Sequence, residues 1–226
     1  RGLAAGYGQV RVCAALDLDL GPGEVVGLIG PNGAGKTTTI LTLAGVLPAL
    51  GGEVLLGGAP ATGPLHRRAK DGLALVTKGR PSFMDLPWAE TRALGGADPD
   101  DAVTLFPELE PLLRRRAGLL SGGEQQMLTV ARALARRPRV LLADELSLGL
   151  APMVVGRLLD RIREVAAETG LAVLLVEQHL HHVLRYGDRA YVLQRGSVVL
   201  EGTTAALAGD LEALEAAYLS GAAPPP

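Results

Sequence analysis

Five consecutive apolar or small positions, Val25-Val26-Gly27-Leu28-Ile29, interrupt the mixed pattern of the first residues and run straight into Gly30-Pro31-Asn32-Gly33-Ala34-Gly35-Lys36-Thr37-Thr38. A short apolar run bounded by turn residues predicts a strand buried on both faces. Residues 37–46 then have the composition of a helix. The same alternation recurs further on: residues 73–77, the run Val140-Leu141-Leu142-Ala143 and residues 171–176 read as core strands, and residues 154–167 carry apolar side chains at helical spacing. Residues 189–194 and 197–201, flanking Arg195-Gly196, read as a closing hairpin. Strands alternating with helices imply a mostly parallel sheet, hence an α/β fold. Short alternating segments in residues 1–20 and 52–58 predict an antiparallel β lobe beside that sheet. Residues 81–117 are rich in Pro, Leu and acids and predict a helical insertion at about 81–120. Residues 210–219 read as a last amphipathic helix, and 221–226 as a disordered tail.

Composition narrows the class. With 226 residues, 48% hydrophobic and 20% charged, the chain can bury a full α/β core, and 1–226 is expected to form one domain. The net charge of −2 gives no overall basic bias, which argues against nucleic acid as the main partner. Arg114-Arg115-Arg116 reads as a solvated helix end. Cys13 is the one cysteine, which excludes an internal disulfide and fits a reducing compartment. No apolar run approaches the roughly 20 residues that span a bilayer, and no signal-peptide pattern opens the chain. The expectation is a soluble, cytoplasmic chain.

The candidate chemistry begins at Gly30, where the chain fits G-x-x-x-x-G-K-[ST] at every fixed position between a strand and a helix, the context a P-loop requires. Glycine lets backbone N–H groups approach phosphate oxygens without a Cβ in the way, and the helix start adds unpaired donors and partial positive charge. Lys36 supplies a full charge for β- and γ-phosphates, and the Thr37 hydroxyl suits Mg2+. The run through Ala143 ends in Asp144-Glu145, two carboxylates at the carboxyl end of a buried strand, where open α/β sheets gather their ligand chemistry. Asp144 is expected to hold Mg2+ through water, and Glu145 to accept a proton from an attacking water. An Asp-Glu pair alone could equally be a solvated loop; with the P-loop the residues converge on a hydrolytic site.

A third motif, Leu120-Ser121-Gly122-Gly123-Glu124-Gln125-Gln126, precedes the acidic strand. Ser121 can cap a helix, and Gly122 and Gly123 leave backbone N–H groups bare, which makes a second anion site at a helix start. Here the chain resembles the ATP-binding subunits of ABC transporters. Gln126-Met127-Leu128, Ser147-Leu148-Gly149-Leu150-Ala151-Pro152, Val176-Glu177-Gln178 and Asp188-Arg189-Ala190-Tyr191-Val192-Leu193 look like the branched-chain amino acid uptake group within that family. The resemblance runs from Tyr7 to about Thr203. It implies a P-loop NTPase core with a mostly parallel sheet, an antiparallel β lobe and a helical insertion, that is, an ABC ATPase fold.

The resemblance also implies roles. Tyr7 matches the aromatic residue that stacks on adenine, although a Tyr in a short strand is often plain packing. Gly30, Pro31, Asn32, Gly33, Ala34, Gly35, Lys36, Thr37 and Thr38 would hold the phosphates of ATP, with Thr37 and Asp144 at Mg2+. Two such domains, the same chain or a paralogue, would pack head to tail so that Ser121, Gly122, Gly123 and Gln125 cover the ATP of the partner, and permease subunits would span the membrane. Glu145 and Gln178 would be catalytic. Gln178 stands where most members have His, as is common in the resembled group; its amide can donate to a γ-phosphate but exchanges no proton near neutral pH. His179 could be a displaced sensor or a surface His, and His181 and His182 are assigned no metal. Lys78 stands where the family has Gln and the group an acid, and a protonated Lys has no lone pair for Mg2+. The predicted function is therefore an ATP-hydrolysing subunit of an importer for branched-chain amino acids or a similar small polar solute. A nucleotide-gated regulatory subunit with weak hydrolysis is the alternative.

Overall fold

The computed structural model describes residues 1–77 and 99–219. Lys78, residues 81–98 of the predicted insertion and the predicted tail at 221–226 lie outside the described residues. In chain order the elements are β1 (Leu3–Tyr7), β2 (Val10–Leu16), β3 (Val25–Ile29), α1 (Lys36–Ala44), β4 (Leu55–Leu56), β5 (Ala59–Pro60), α2 (Leu65–Lys70) and β6 (Leu73–Val76). They continue with α3 (Pro99–Leu105), α4 (Gly122–Ala135), β7 (Val140–Asp144), α5 (Pro152–Thr169), β8 (Ala172–Glu177), α6 (Leu180–Tyr186), β9 (Arg189–Gln194), β10 (Ser197–Thr203), α7 (Thr204–Gly209) and α8 (Leu211–Leu219). Between α3 and α4 the described chain makes two 3-10 turns, Pro107–Leu112 and Ala117–Leu119.

Among the described residues the main sheet has the order β10-β9-β3-β8-β7-β6. Every neighbouring pair is parallel except β9 with β10, the closing hairpin. The period-2 geometry of a strand sends successive side chains to opposite faces, and the two cores follow from it. Val25 and Ile29 join the cluster that contains α4, α5 and α6 residues such as Leu128, Leu158 and Val183. Val26 and Leu28 join Ile40 and Ala44 of α1 together with Leu3, Cys13 and Leu16 of the β1–β2 ribbon. Gly27, the middle of β3, faces α6: a Cβ there would lie 2.1 Å from Val183 Cγ1, so glycine lets that helix sit directly on the strand.

The antiparallel lobe is more fragmented than the segment pattern predicts. β1 pairs with β2, β4 pairs with β5 over two residues each, and a bridge between Ala4 and Gly51 joins the two pieces. Within residues 52–58 only Leu55–Leu56 are strand, because Gly57 and Gly58 adopt the positive φ of a tight hairpin and end it.

Candidate functional site

The strand order assembles the site. β8 lies between β3 and β7, with Ile29 in register with Glu177 and Asp144 in register with Val176. At about 4.8 Å between neighbouring strands, the chain leaving β3 into the glycine loop, Gln178 leaving β8, and Glu145 leaving β7 emerge side by side at the carboxyl edge. The glycine loop lies more than a hundred residues from the other two segments in sequence, yet the strand order makes all three adjacent in space.

The loop after β3 is held from inside. Ala34 N–H donates to the Pro31 carbonyl at 3.2 Å, and the Ala34 carbonyl accepts from Gly196 N–H at 2.9 Å. Gly35 has φ of +108°, outside the range of L side chains, and a Cβ on it would lie 2.4 Å from Cys13 Sγ. The ribbon strand β2 thus presses against the loop through Cys13, which is buried and sits 3.4 Å from Thr39 Oγ1. Helix α1 starts without a side-chain cap, so its first amide hydrogens are left for a ligand. Lys36 is 4% exposed and donates from Nζ to the Gly30 and Pro31 carbonyls at 2.7 and 3.1 Å, which aims its charge across the loop. Thr37 is half-buried and Thr38 buried, while Asn32 and Gly33 are exposed at the loop tip. Tyr7 ends β1 with its ring half-exposed, opposite the exposed Val10.

Asp144 and Glu145 are both buried, 1% and 7% exposed. The strand ends at Asp144; Glu145 takes φ of +49°, a left-handed turn rare for a residue with a Cβ, and its N–H donates to the Val176 carbonyl at 2.8 Å. Backbone strain of this kind clusters at functional sites. Gln178 is half-buried, and its backbone carbonyl accepts from Tyr218 Oη at 3.0 Å, so α8 reaches the end of β8. His179 is exposed and precedes α6.

Ser121 is the N-cap of α4 in a reciprocal box: Glu124 N–H donates to Ser121 Oγ and Ser121 N–H donates to Glu124 Oε2. The cap uses a lone pair of the hydroxyl and leaves its O–H free to donate outward. Ser121 and Gly122 are exposed. Gly123 is half-buried against Val154, and Gln125 turns inward, its Nε2 donating to the Ala117 and Leu120 carbonyls at 3.2 and 3.0 Å. The motif is thus anchored by Gln125 and presents Ser121 and Gly122. Leu119, Leu148 and Met153 nearby in sequence are exposed apolar side chains.

Two residues to which sequence reasoning assigned no catalytic role, Glu177 and His182, lie at the site. Glu177, fully buried, accepts from Ser147 Oγ at 2.7 Å and from Ser147 N–H at 3.3 Å. Burial pushes its carboxyl up to about 7 against the pull of the Ser147 hydrogen bonds, and the nearby Glu145 charge adds to the push. His182 Nδ1 lies 3.9 Å from the same carboxyl, with burial and the neighbouring imidazoles pushing it down to about 4, so it is neutral at pH 7. An acid closing an apolar strand was the signal available for Glu177.

Thr37 and Asp144 offer a hydroxyl and a carboxylate, the hard oxygen donors that Mg2+ selects. Among the described residues no group of three or more His, Cys, Asp or Glu could hold a metal ion. The described helices include none long and apolar enough to cross a membrane.

With this geometry in view, known proteins give the family. The profile of the ABC transporter family matches residues 13–147. The chain is 40% identical to the high-affinity branched-chain amino acid transport ATP-binding protein BraG of Pseudomonas aeruginosa, over 95% of this chain and 96% of that protein. It is 35% identical to the probable branched-chain amino acid transport ATP-binding protein LivF of Archaeoglobus fulgidus, over 89% of each. A nucleotide-free ATP-binding cassette from an ABC transporter superposes with a TM-score of 0.83 at 24% identity, covering 95% of both chains, so the fold is shared. A P-loop strand, an acidic strand and a capped serine-glycine helix start, arranged in one cassette and matched along nearly the whole chain, make this protein a member of the ABC transporter family, as an ATP-binding and ATP-hydrolysing subunit.

Proposed function

We propose that this chain is the ATPase of an importer for branched-chain amino acids or a similar small polar solute, acting as a pair of cassettes with Mg2+-ATP between them. The observation that carries the reading is the adjacency of the β3, β8 and β7 ends, which brings Lys36, Gln178 and Glu145 to one edge. The resemblance to BraG and LivF supports the solute class. The regulatory alternative is not favoured, since Glu145 is retained and these relatives are named as transport ATP-binding proteins.

In this reading Tyr7 stacks on adenine. The backbone of Gly30, Pro31, Asn32, Gly33, Ala34 and Gly35 wraps the phosphates with Lys36 and the amides of Thr37 and Thr38. Thr37 and Asp144 hold Mg2+, which when bound offsets charge on the β- and γ-phosphate oxygens. Glu145 polarises the attacking water, and Gln178 donates its amide to the γ-phosphate. Ser121, Gly122 and Gly123 give their outward donors to the ATP of the partner, with Gln125 holding that loop in place. One chain carries one P-loop and a second anion site that its own P-loop does not use, and pairing resolves the surplus. The exposed Leu119, Leu148 and Met153 supply apolar area for that contact. Residues 1–226 act as one domain, cytoplasmic and peripheral on the membrane, docked on permease subunits through the insertion.

The test is reconstitution. The chain is copurified with its permease subunits and solute-binding protein, and ATP-driven uptake of leucine, isoleucine and valine into vesicles is measured. Uptake of a different solute class at the same ATPase rate would overturn the solute assignment and leave the ATPase intact.

A further inference from the structure

Glu177 ends β8 with both carboxyl oxygens turned to one residue of another segment, Ser147, two positions beyond Glu145. A carboxyl rarely sits fully buried unless it is paired, and its partner here is not a cation. It is the turn that carries the proposed general base. That turn is unfavourable by itself: Glu145 is left-handed at φ +49°, a backbone state that a residue with a Cβ keeps only when its surroundings hold it there. Two contacts hold it against β8. One is Glu145 N–H on the Val176 carbonyl, and the other is the two-point bond from Ser147 to Glu177. The next residue along β8 is Gln178. Among the described residues, His182 from α6 and Glu145 from the end of β7 are the titratable groups that face the Glu177 carboxyl, and His182 is too far, at 3.9 Å, and neutral at pH 7, so it supplies no ion pair.

We propose that Glu177 is a positioning residue for ATP hydrolysis: its carboxyl clasps Ser147, fixes the left-handed turn at Glu145, and makes that turn and Gln178 move as one body. The clasp joins the segment that activates water to the segment that senses the γ-phosphate, without touching ATP. The inference rests on the catalytic role proposed for Glu145.

The experiment measures steady-state ATPase kinetics of the full chain, in its assembled complex, for Glu177→Ala, Glu177→Gln, Ser147→Ala and the Glu177→Ala/Ser147→Ala pair, beside Glu145→Gln. A misplaced reacting group loses about tenfold to a hundredfold in rate, so Glu177→Ala is expected to lower kcat by that factor. Its KM for ATP should stay within about twofold, because binding in ground and transition state is affected alike only by groups that touch ATP. Glu177→Gln keeps an oxygen for the Ser147 hydroxyl and should retain most of the rate. The double variant should be no slower than Glu177→Ala, as expected of two residues acting as a unit. Wild-type kcat in Glu177→Ala, or independent and multiplying losses in the double variant, would overturn the clasp. Should Glu177→Ala fail to fold, Ser147→Ala against Ser147→Thr carries the test: the hydroxyl-bearing variant must keep the rate that Ala loses, and equal rates overturn the proposal. Wild-type turnover by Glu145→Gln would instead remove the catalytic reading on which the clasp depends, so the two failures are distinct.

Discussion

Replacing Gly35 with Ala adds one carbon at the tightest point of the phosphate loop. Two separate penalties follow. The backbone at φ +108° is closed to L side chains, and holding a non-glycine residue in such a region costs roughly 1–3 kcal/mol. The new Cβ would also lie 2.4 Å from Cys13 Sγ and 3.3 Å from Val12 Cγ1, and overpacking of a dense core costs about 1–3 kcal/mol more. A combined loss near 4 kcal/mol, at about 2–4 °C per kcal/mol for a chain of this size, lowers Tm by about 8–16 °C in calorimetry. If the loop yields instead, its amides leave the phosphates. Losing one hydrogen bond to a charged group removes about 1.5–3 kcal/mol, which is roughly tenfold to a hundredfold in ATP affinity. The two penalties separate in a Cys13→Ala background, where Sγ is gone and the Gly35→Ala shift should fall to about half. An unchanged shift in that background would refute the contact with Cys13, and no shift in either would refute the whole argument.

Lys36→Ala is expected to weaken ATP binding and abolish turnover, because the backbone cradle remains while the charge facing the β- and γ-phosphates is lost; wild-type hydrolysis would sink the P-loop assignment. Glu145→Gln should keep ATP affinity but slow the chemical step by about a hundredfold or more, so that an ATP-bound dimer accumulates in size-exclusion chromatography. Adding Ser121→Arg should prevent that dimer by filling the place of the γ-phosphate, and a monomer in the absence of the second change, with and without a paralogue, counts against shared sites. Acid should also loosen the opposite end of the sheet. The Arg189 guanidinium beside Glu24 and the Arg163 guanidinium on Asp188 hold both carboxyls below their ordinary values. Their stabilisation is therefore present above about pH 4.5 and is lost as pH falls through the depressed values, and a Tm flat from pH 6 to below pH 3 would refute it.

Much of this was legible in the chain because its signals are local. Val25-Val26-Gly27-Leu28-Ile29 is β3 to the residue, and the hairpin around Arg195-Gly196 falls where the turn signal puts it. Ser121 caps α4 because the serine and Glu124 stand three apart, a spacing that carries its own mechanism. What stayed hidden is non-local. Ser147 and Glu177 are thirty residues apart, Cys13 and Gly35 twenty-two, and no periodicity announces either contact. The conformation of Glu145 was equally out of reach: an acid after an apolar run reads as the end of a strand, and the bonds that accompany its left-handed turn, to the Val176 carbonyl and from Ser147 to Glu177, come from a strand thirty residues on. Residues 52–58 do contribute to the antiparallel lobe, but only Leu55–Leu56 are strand, since Gly57 and Gly58 serve the turn.

Helix α8 has a consequence for anyone handling this protein. Its Tyr218 hydroxyl holds the Gln178 carbonyl, and the Ala217 carbonyl accepts from Gln194 Nε2 at 3.2 Å, so this late helix is fastened to the ends of two sheet strands. A fusion partner, an immobilising tag or a crosslink attached beyond Tyr218 would load the helix whose bonds end on Gln194 and on Gln178, the residue proposed to sense the γ-phosphate. The start of the chain is no freer, since the Arg1 amino group donates to the Glu53 carbonyl and Gly2 N–H to Asp17 Oδ1, so the untagged chain is the reference for kinetic constants.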